Sequence, residues 1–261
     1  MYMEERHQQI SDLIRENGKI SVAEIVEKYG ISDESARRDL RMLEKKGLCK
    51  RTHGGAIRLQ QVGFIGNTKE RDYAAMPIFD NYREIARKAA ELIRENDIIY
   101  LTSGSFGFIM LRFLPKDIRY TLVVNAADLA VQLRQWDNID VFVVGGKMRQ
   151  SGSIVDSMAL DFVEKLHFDR CFLTGGGLTA GFGVSNRTAE TVAFQRAVLK
   201  NSRKKTLLMP SSKVGADSFI RVCGAEEFDM IITDWDCLEE QAEQLRETGT
   251  EVIIVAEGNE P

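Results

Sequence analysis

Residues 21–56 read SVAEIVEKYGISDESARRDLRMLEKKGLCKRTHGGA. Ser21 opens a helix whose Val22, Ile25 and Val26 fall on one stripe; Glu24 stands three residues after the cap, a capping-box spacing, and Gly30 is the stop. Ser32 opens a second helix, with Ala36, Leu40 and Leu43 on one side, Arg37, Arg38 and Arg41 largely on others, and Gly47 at its close. Leu48 to Leu59 then reads as a β-hairpin, with Gly54-Gly55 at or near the bend and Lys50, Arg51 and His53 around it. Two capped helices, a tight turn and a basic hairpin are the outline of a winged helix-turn-helix.

Upstream, Ile10, Leu13 and Ile14 recur at spacings of three and four before Gly18, which predicts an amphipathic first helix. The whole chain is 261 residues with a formal net charge of −4, which by itself speaks against a nucleic-acid partner. Its distribution reverses that. From Arg37 to Arg58 there are eight cations (Arg37, Arg38, Arg41, Lys45, Lys46, Lys50, Arg51, Arg58) against two anions (Asp39, Glu44), a window of +6.

A helix-turn-helix puts the N-terminal residues of its second helix at base edges while flanking cations neutralise phosphates. Ser35, Arg37 and Arg38 are placed to reach bases, and Ser21, Ser32, Arg41, Lys50, Arg51, His53, Gly54 and Gly55 complete the expected contact to double-stranded DNA. The plainer alternative is a three-helix packing module whose basic face is only solvated. That alternative accounts for the helices but not for their order with an Arg-rich helix and a basic Gly-Gly hairpin.

Residues 60–81 lack a sustained period and read as a linker between a domain at 1–59 and one at 82–261. In the second domain, apolar strand candidates at 98–102, 121–124, 141–144, 171–174, 206–209, 230–233 and 252–255 alternate with helical periods at 82–95, 106–113, 126–135, 157–166, 188–202 and 236–248. That alternation predicts an α/β fold with a mostly parallel, doubly covered sheet. Several strands run straight into glycine or small polar residues: Thr102-Ser103-Gly104-Ser105, Val124-Asn125, Gly145-Gly146 and Gly175-Gly176-Gly177. Such loops expose backbone N–H groups beside helix starts, where a small anionic ligand fits.

Cys49, Cys171, Cys223 and Cys237 are scattered without a C-x-x-C pair, and His7, His53 and His167 are few and dispersed. Neither a zinc site nor a disulfide framework is expected, and no residue pattern calls for a cofactor. The charged residues close behind Met1 and the short apolar runs leave no signal peptide or membrane span, so a cytoplasmic protein is expected.

Residues 1–56 resemble the DeoR family of bacterial transcription regulators. Its amino-terminal region typically reads E-R, then a helix-turn-helix ending in R-R-D-L, L-E, G and H-G-G-A. This chain has Glu5-Arg6, Arg37-Arg38-Asp39-Leu40, Leu43-Glu44, Gly47 and His53-Gly54-Gly55-Ala56. The resemblance continues to about Asp234 and implies that residues 82–261 are a sugar-phosphate sensor domain similar in fold to ribose-5-phosphate isomerase. It further implies a repressor of a sugar-catabolism operon, relieved by a phosphorylated intermediate.

Against that family pattern the pocket departs in several places. The usual D-S-G-T-T is Thr102-Ser103-Gly104-Ser105-Phe106, the usual T-N is Val124-Asn125, and a glycine expected after the matching Gly145-Gly146 is Asp156. A Glu followed five residues later by Lys is Glu190 followed by Gln195, and D-x-S-K is Pro210-Ser211-Ser212-Lys213. Two readings follow. Either Ser103, Gly104, Ser105, Asn125, Gly145, Gly146, Glu190 and Lys213 hold a small anionic metabolite, expected to be a sugar phosphate, or the domain serves mainly for oligomerisation or responds to a non-phosphorylated ligand or a protein partner. Backbone N–H groups, which do most of the work in phosphate binding, favour the first.

An isomerase would need a base and an acid or cation at the reacting carbon. The family-like carboxylate positions are Thr102 and Pro210, so no enzyme is expected. Operator symmetry usually mirrors protein symmetry, and one small winged helix offers few base contacts, so a homo-oligomer, dimer or tetramer, is expected.

Overall fold

The computed structural model describes residues 3–45, 48–52, 54–57 and 78–258. The chain divides into two compact units, Met1–Gly66 and Asn67–Pro261.

In the first unit, α1 (Met3–Asn17) is followed by β1 (Lys19–Ser21), α2 (Val22–Tyr29), α3 (Asp33–Lys45), β2 (Lys50–Thr52) and β3 (Gly55–Ile57). The three helices close over Ile10, Ile14, Val22, Ile25, Ala36, Leu40 and Leu43, with Ile20 and Ala56 from the strands and Cys49 just before β2. The capping box of α2 is complete: Glu24 N–H donates to Ser21 Oγ (3.1 Å) and Ser21 N–H donates to the Glu24 carboxylate (2.6 Å). A further early donor of α2, Val22 N–H, is taken by the Gly54 carbonyl at 2.8 Å, so the wing's turn helps cap that helix. Gly30 closes α2 in the left-handed conformation.

The wing is a three-stranded sheet in the order β1-β3-β2, not the two-stranded hairpin that the sequence suggests. The added strand is short and carries no alternation of its own; pairing with β3 in the register Ser21↔Gly55 defines it. This explains Gly55, which is buried and lies inside β3 and not in the bend. A Cβ there would stand 2.0 Å from the Ile20 carbonyl oxygen, so only glycine lets β1 approach.

In the second unit the elements are α4 (Asp80–Ala90), β4 (Ile98–Leu101), α5 (Ser105–Met110), β5 (Tyr120–Val124), α6 (Ala127–Leu133), β6 (Ile139–Val143), α7 (Ser157–Val163) and β7 (Phe168–Leu173). Then come β8 (Gly177–Thr179), β9 (Gly183–Asn186), α8 (Ala189–Lys200), β10 (Ser202–Leu208), β11 (Ile220–Cys223), β12 (Met230–Asp234), α9 (Glu239–Arg246) and β13 (Glu251–Val255). Among the described residues, the strands expected from sequence form one sheet in the order β13-β12-β10-β7-β4-β5-β6, parallel throughout.

Tyr100, Val123, Cys171, Leu173, Leu207, Ile231 and Val252 share one face of the sheet and one core with Ala159 and Val163 of α7 and Val192, Phe194 and Val198 of α8. Alternate residues such as Ile99, Leu101, Leu122, Phe172 and Leu208 are equally buried on the other face. Both faces being covered is why these strands read as continuous apolar runs. A second sheet, β11-β9-β8, is antiparallel and absent from the sequence expectation, because its strands are three or four residues long and two of them, β8 and β9, begin at glycine.

All four cysteines are buried as free thiols, and burial pushes Cys49, Cys171 and Cys237 up to about 11 and Cys223 up to about 12. They pack as small neutral side chains. No helix among the described residues is long and apolar enough to cross a membrane.

Gly55→Ala is expected to destabilise the first unit by about 2 kcal/mol or more through overpacking against β1. Thermal unfolding followed by circular dichroism should show that loss in one transition and leave the transition of the second unit in place.

Candidate DNA interface and effector site

Helix α3 buries Ala36, Leu40 and Leu43, so the opposite side, at 100° per residue, centres on Arg38. Arg38, Arg41 and Met42 are exposed, and among the described residues neither arginine forms an ion pair. Arg37 lies to one flank and is bonded to Asp33 one turn earlier at 2.6 Å. Ser32 caps the helix by accepting Ser35 N–H (3.2 Å), and its own hydroxyl donates to Ser35 Oγ (2.9 Å). Of the three residues placed by sequence near base edges, Arg38 is therefore the most outward, whereas Arg37 and Ser35 are already engaged.

The wing is tied to the end of α3, because Arg51 N–H donates to the Glu44 carboxylate at 2.8 Å. Gly54 is exposed at the turn and Lys50 opens β2; His53 lies outside the described residues. The Ser21 hydroxyl is spent on its own cap, donating to Glu24 at 2.6 Å.

One cluster was not legible at all. Asp39, only 3% exposed, accepts Arg6 Nε at 2.7 Å and Arg6 Nη2 at 3.3 Å, and it also bonds His7 Nε2 at 2.9 Å. Burial alone would raise this carboxyl, but the hydrogen bonds and charges of Arg6 and His7 outweigh it and hold Asp39 below the ordinary carboxylate range. Arg6 and Asp39 belong to the E-R and R-R-D-L motifs, which are thus two halves of one contact.

In the second unit the sheet winds outward from β4 through β5 to β6, then returns to place β7 on the other side of β4. Open α/β sheets bind ligands outside the strand ends at such a reversal. Ser103, Gly104 and Ser105 lie there, partly exposed at the end of β4 and start of α5. A methyl on Gly104 would stand 3.2 Å from the Thr174 side chain at the end of β7.

Lys213, on the turn after β10, reaches the same strand end: its Nζ donates to the Gly175 carbonyl at 3.2 Å. Burial, reinforced by the neighbouring Arg187 charge, holds its ammonium below the usual lysine value. The hydroxyls of Thr174, after β7, and of Ser211 and Ser212, after β10, are buried with no hydrogen-bond partner among the described residues. Arg187, Thr174 and Ser212 are not site candidates in the sequence; a cation immediately before the cap of α8, Thr188, carries no local signal.

The remaining candidates are engaged within the chain. Asn125, 1% exposed, accepts the Tyr100 hydroxyl at 2.8 Å and donates to the Ile154 carbonyl at 3.0 Å. Gly145 and Gly146 follow β6, the edge strand. A Cβ on Gly146 would stand 2.2 Å from Asp156, whose carboxylate accepts Lys147 N–H (3.1 Å) and caps α7 through Ala159 N–H (3.2 Å). Glu190, exposed in the first turn of α8, is paired with Arg149 at 3.0 Å, and Arg149 also bonds Thr191 at 3.0 Å.

The departures from the family pattern have internal roles. Gln195 bridges Asn186 and the Thr174 carbonyl, each at 2.8 Å; Phe106 stacks on Tyr82 at 5.0 Å; Thr102 Oγ1 accepts Gly104 N–H at 3.4 Å. Among the described residues no group of His, Cys, Asp and Glu could hold a metal ion.

The DeoR-like helix-turn-helix domain model matches residues 6–62, and the DeoR C terminal sensor domain model matches residues 80–235. The chain belongs to the DeoR family of transcription regulators. It is 29% identical to the HTH-type transcriptional regulator GlpR of Haloferax volcanii, over 95% of this chain and 96% of that protein. It is 30% identical to the lactose phosphotransferase system repressor of Streptococcus mutans, over 97% and 100%. Ribose 5-phosphate isomerase A of Methanocaldococcus jannaschii aligns with a TM-score of 0.38 at 14% identity, over 51% of this chain and 53% of that one, and the fold described above does not depend on it. As a DeoR-family member the chain is a DNA-binding transcription regulator and not an enzyme.

Asn125→Ala should strand the Tyr100 hydroxyl and the Ile154 carbonyl and cost about 3 kcal/mol of unfolding free energy. Denaturant titration measures it; unchanged stability with a lost metabolite response would instead put Asn125 on the ligand. For Asp39, the stabilisation is complete above the unfolded value of about 3.9 and is lost as pH falls through its lower folded value. Denaturation midpoints of the wild type and Asp39→Asn, taken from about pH 6 to about pH 2, should therefore converge at the acid end.

Proposed function

We propose that this DeoR-family regulator represses a sugar operon: it binds operator DNA as a homo-oligomer in the cytoplasm and lets go when a small phosphorylated sugar enters the second unit at the β4/β7 strand ends. The observation that carries the ligand class is Lys213, a cation whose Nζ reaches the end of β7, 3.2 Å from the Gly175 carbonyl, where Gly104 also approaches Thr174. Burial disfavours its ammonium, and an anion brought beside it offsets that cost. Ser103, Gly104 and Ser105 add partly exposed small residues at the start of α5, and the buried hydroxyls of Thr174 and Ser212 supply further bonding capacity.

On the DNA side, Arg38 and Arg41 face the major groove and the wing contributes Lys50, Arg51 and Gly54 to the backbone. Paired half-sites require a second copy of the chain, since one α3 addresses only a few base pairs. Ligand binding shifts the spacing of the paired DNA-binding units, and linkage then requires operator DNA to weaken ligand binding by the same factor. Names of relatives such as the lactose phosphotransferase system repressor support sugar control in general, and they leave the particular sugar open.

The test is fluorescence anisotropy on labelled DNA from upstream of the protein's own gene, at fixed salt, titrated with sugar phosphates and their unphosphorylated parents. Arg38→Ala should weaken operator binding by about 1–3 kcal/mol and leave ligand affinity intact. Lys213→Ala should keep operator binding and lose the response. Release by an unphosphorylated parent, or by no member of the panel, would move the second unit to a different ligand class. Sedimentation that found only monomer at micromolar concentration would remove the paired-site scheme.

A further inference from the structure

We propose that Arg6, His7 and Asp39 form a positioning clamp for base recognition: by fixing the roll of α3 against α1, they determine which base edges Arg38 and Arg41 can address. The inference rests on α3 being the recognition helix.

Stability alone does not account for the cluster. Taking a carboxylate to 3% exposure and a histidine to 4% is costly, and an apolar replacement of similar volume is often neutral or stabilising. What a charged cluster supplies and an apolar one does not is direction. The stripe that seats α3 is small, Ala36, Leu40 and Leu43, and dispersion contacts there tolerate rotation. A roll of about 20° moves a side-chain tip at the helix's outer radius of about 5–6 Å by about 2 Å, more than a bidentate arginine–guanine contact can absorb.

The clamp opposes that roll. Arg6 presents Nε and Nη2 as a fork to both carboxylate oxygens, and His7 reaches Oδ1 from the next position on α1. Consecutive residues of a helix point 100° apart, so both converge on one carboxylate only at one relation of α1 to α3. Asp39 is the residue after Arg38 and two before Arg41; holding its carboxylate fixes the directions in which those two side chains leave the helix. Arg38 and Arg41 have no ion pair among the described residues to orient them, so their aim depends on the helix beneath.

The experiment compares affinities of the full chain for a duplex selected by the wild type from a random pool and for a scrambled duplex of the same length, across a salt series. Asp39→Asn removes the charge and Arg6→Lys keeps the charge while removing the fork; circular dichroism confirms folding. Each folded variant should lose about tenfold in the ratio of selected to scrambled affinity, while the slope of log affinity on log salt stays at the wild-type value, because phosphate contacts are untouched. A ratio within about twofold of wild type in a folded, destabilised variant would make the cluster merely structural and overturn the clamp. If Asp39→Asn does not fold, Arg6→Lys decides. A wild type that selects no sequence from the pool would remove the recognition-helix reading, and the clamp with it.

Discussion

The reversal of strand order between β4 and β7 is the constraint on which the larger unit depends. Once the sheet has wound outward to β6, right-handed crossover requires the returning helix, α7, to lie on the face opposite to the first connections. The two sets of helices diverge where β4 and β7 sit side by side, and their strand-end loops face each other without a helix between them. Ser103 and Ser105 from one side and Thr174 and Lys213 from the other are brought to that end by winding direction rather than by proximity in sequence.

The smaller unit solves a different problem. A unit of about 66 residues, Met1–Gly66, buries only a small core, and among the described residues its ten core side chains include two alanines and a cysteine. Polar ties supplement the core at each junction: Ser21 with Glu24 at the entry of α2, Glu44 with Arg51 between α3 and the wing, Asp39 with Arg6 and His7 between α3 and α1. Of these three, the tie between Asp39 and Arg6 joins two residues of the family motifs, and that between Glu44 and Arg51 includes one.

Legibility followed locality. The capping box, the glycine stop after α2 and the parallel strands were all readable, because each signal fits within a handful of consecutive residues and both sheet faces are buried. The strands β8, β9 and β11 were not, being too short to show a period, and β1 exists only through its pairing with β3. The Asp39 cluster links positions 32 and 33 residues apart and leaves no periodic trace. At the strand ends, position predicted which residues reach the carboxyl edge but not whether their polar atoms are already spent. Asn125 bonds inside the sheet edge and Glu190 bonds Arg149, while Lys213 lies beside a second cation that sequence spacing did not reveal.

The hydrogen bond from Val22 to the Gly54 carbonyl makes the wing something other than an ornamental loop. Surface hairpins usually drift in length between relatives because nothing beneath them keeps count. Here an inserted residue would withdraw the carbonyl that covers the first turn of α2 and reopen a donor two elements away in the chain. Divergence in how such a protein meets the groove is therefore channelled into substitution at fixed positions, and the length of the wing is inherited along with the helix it covers.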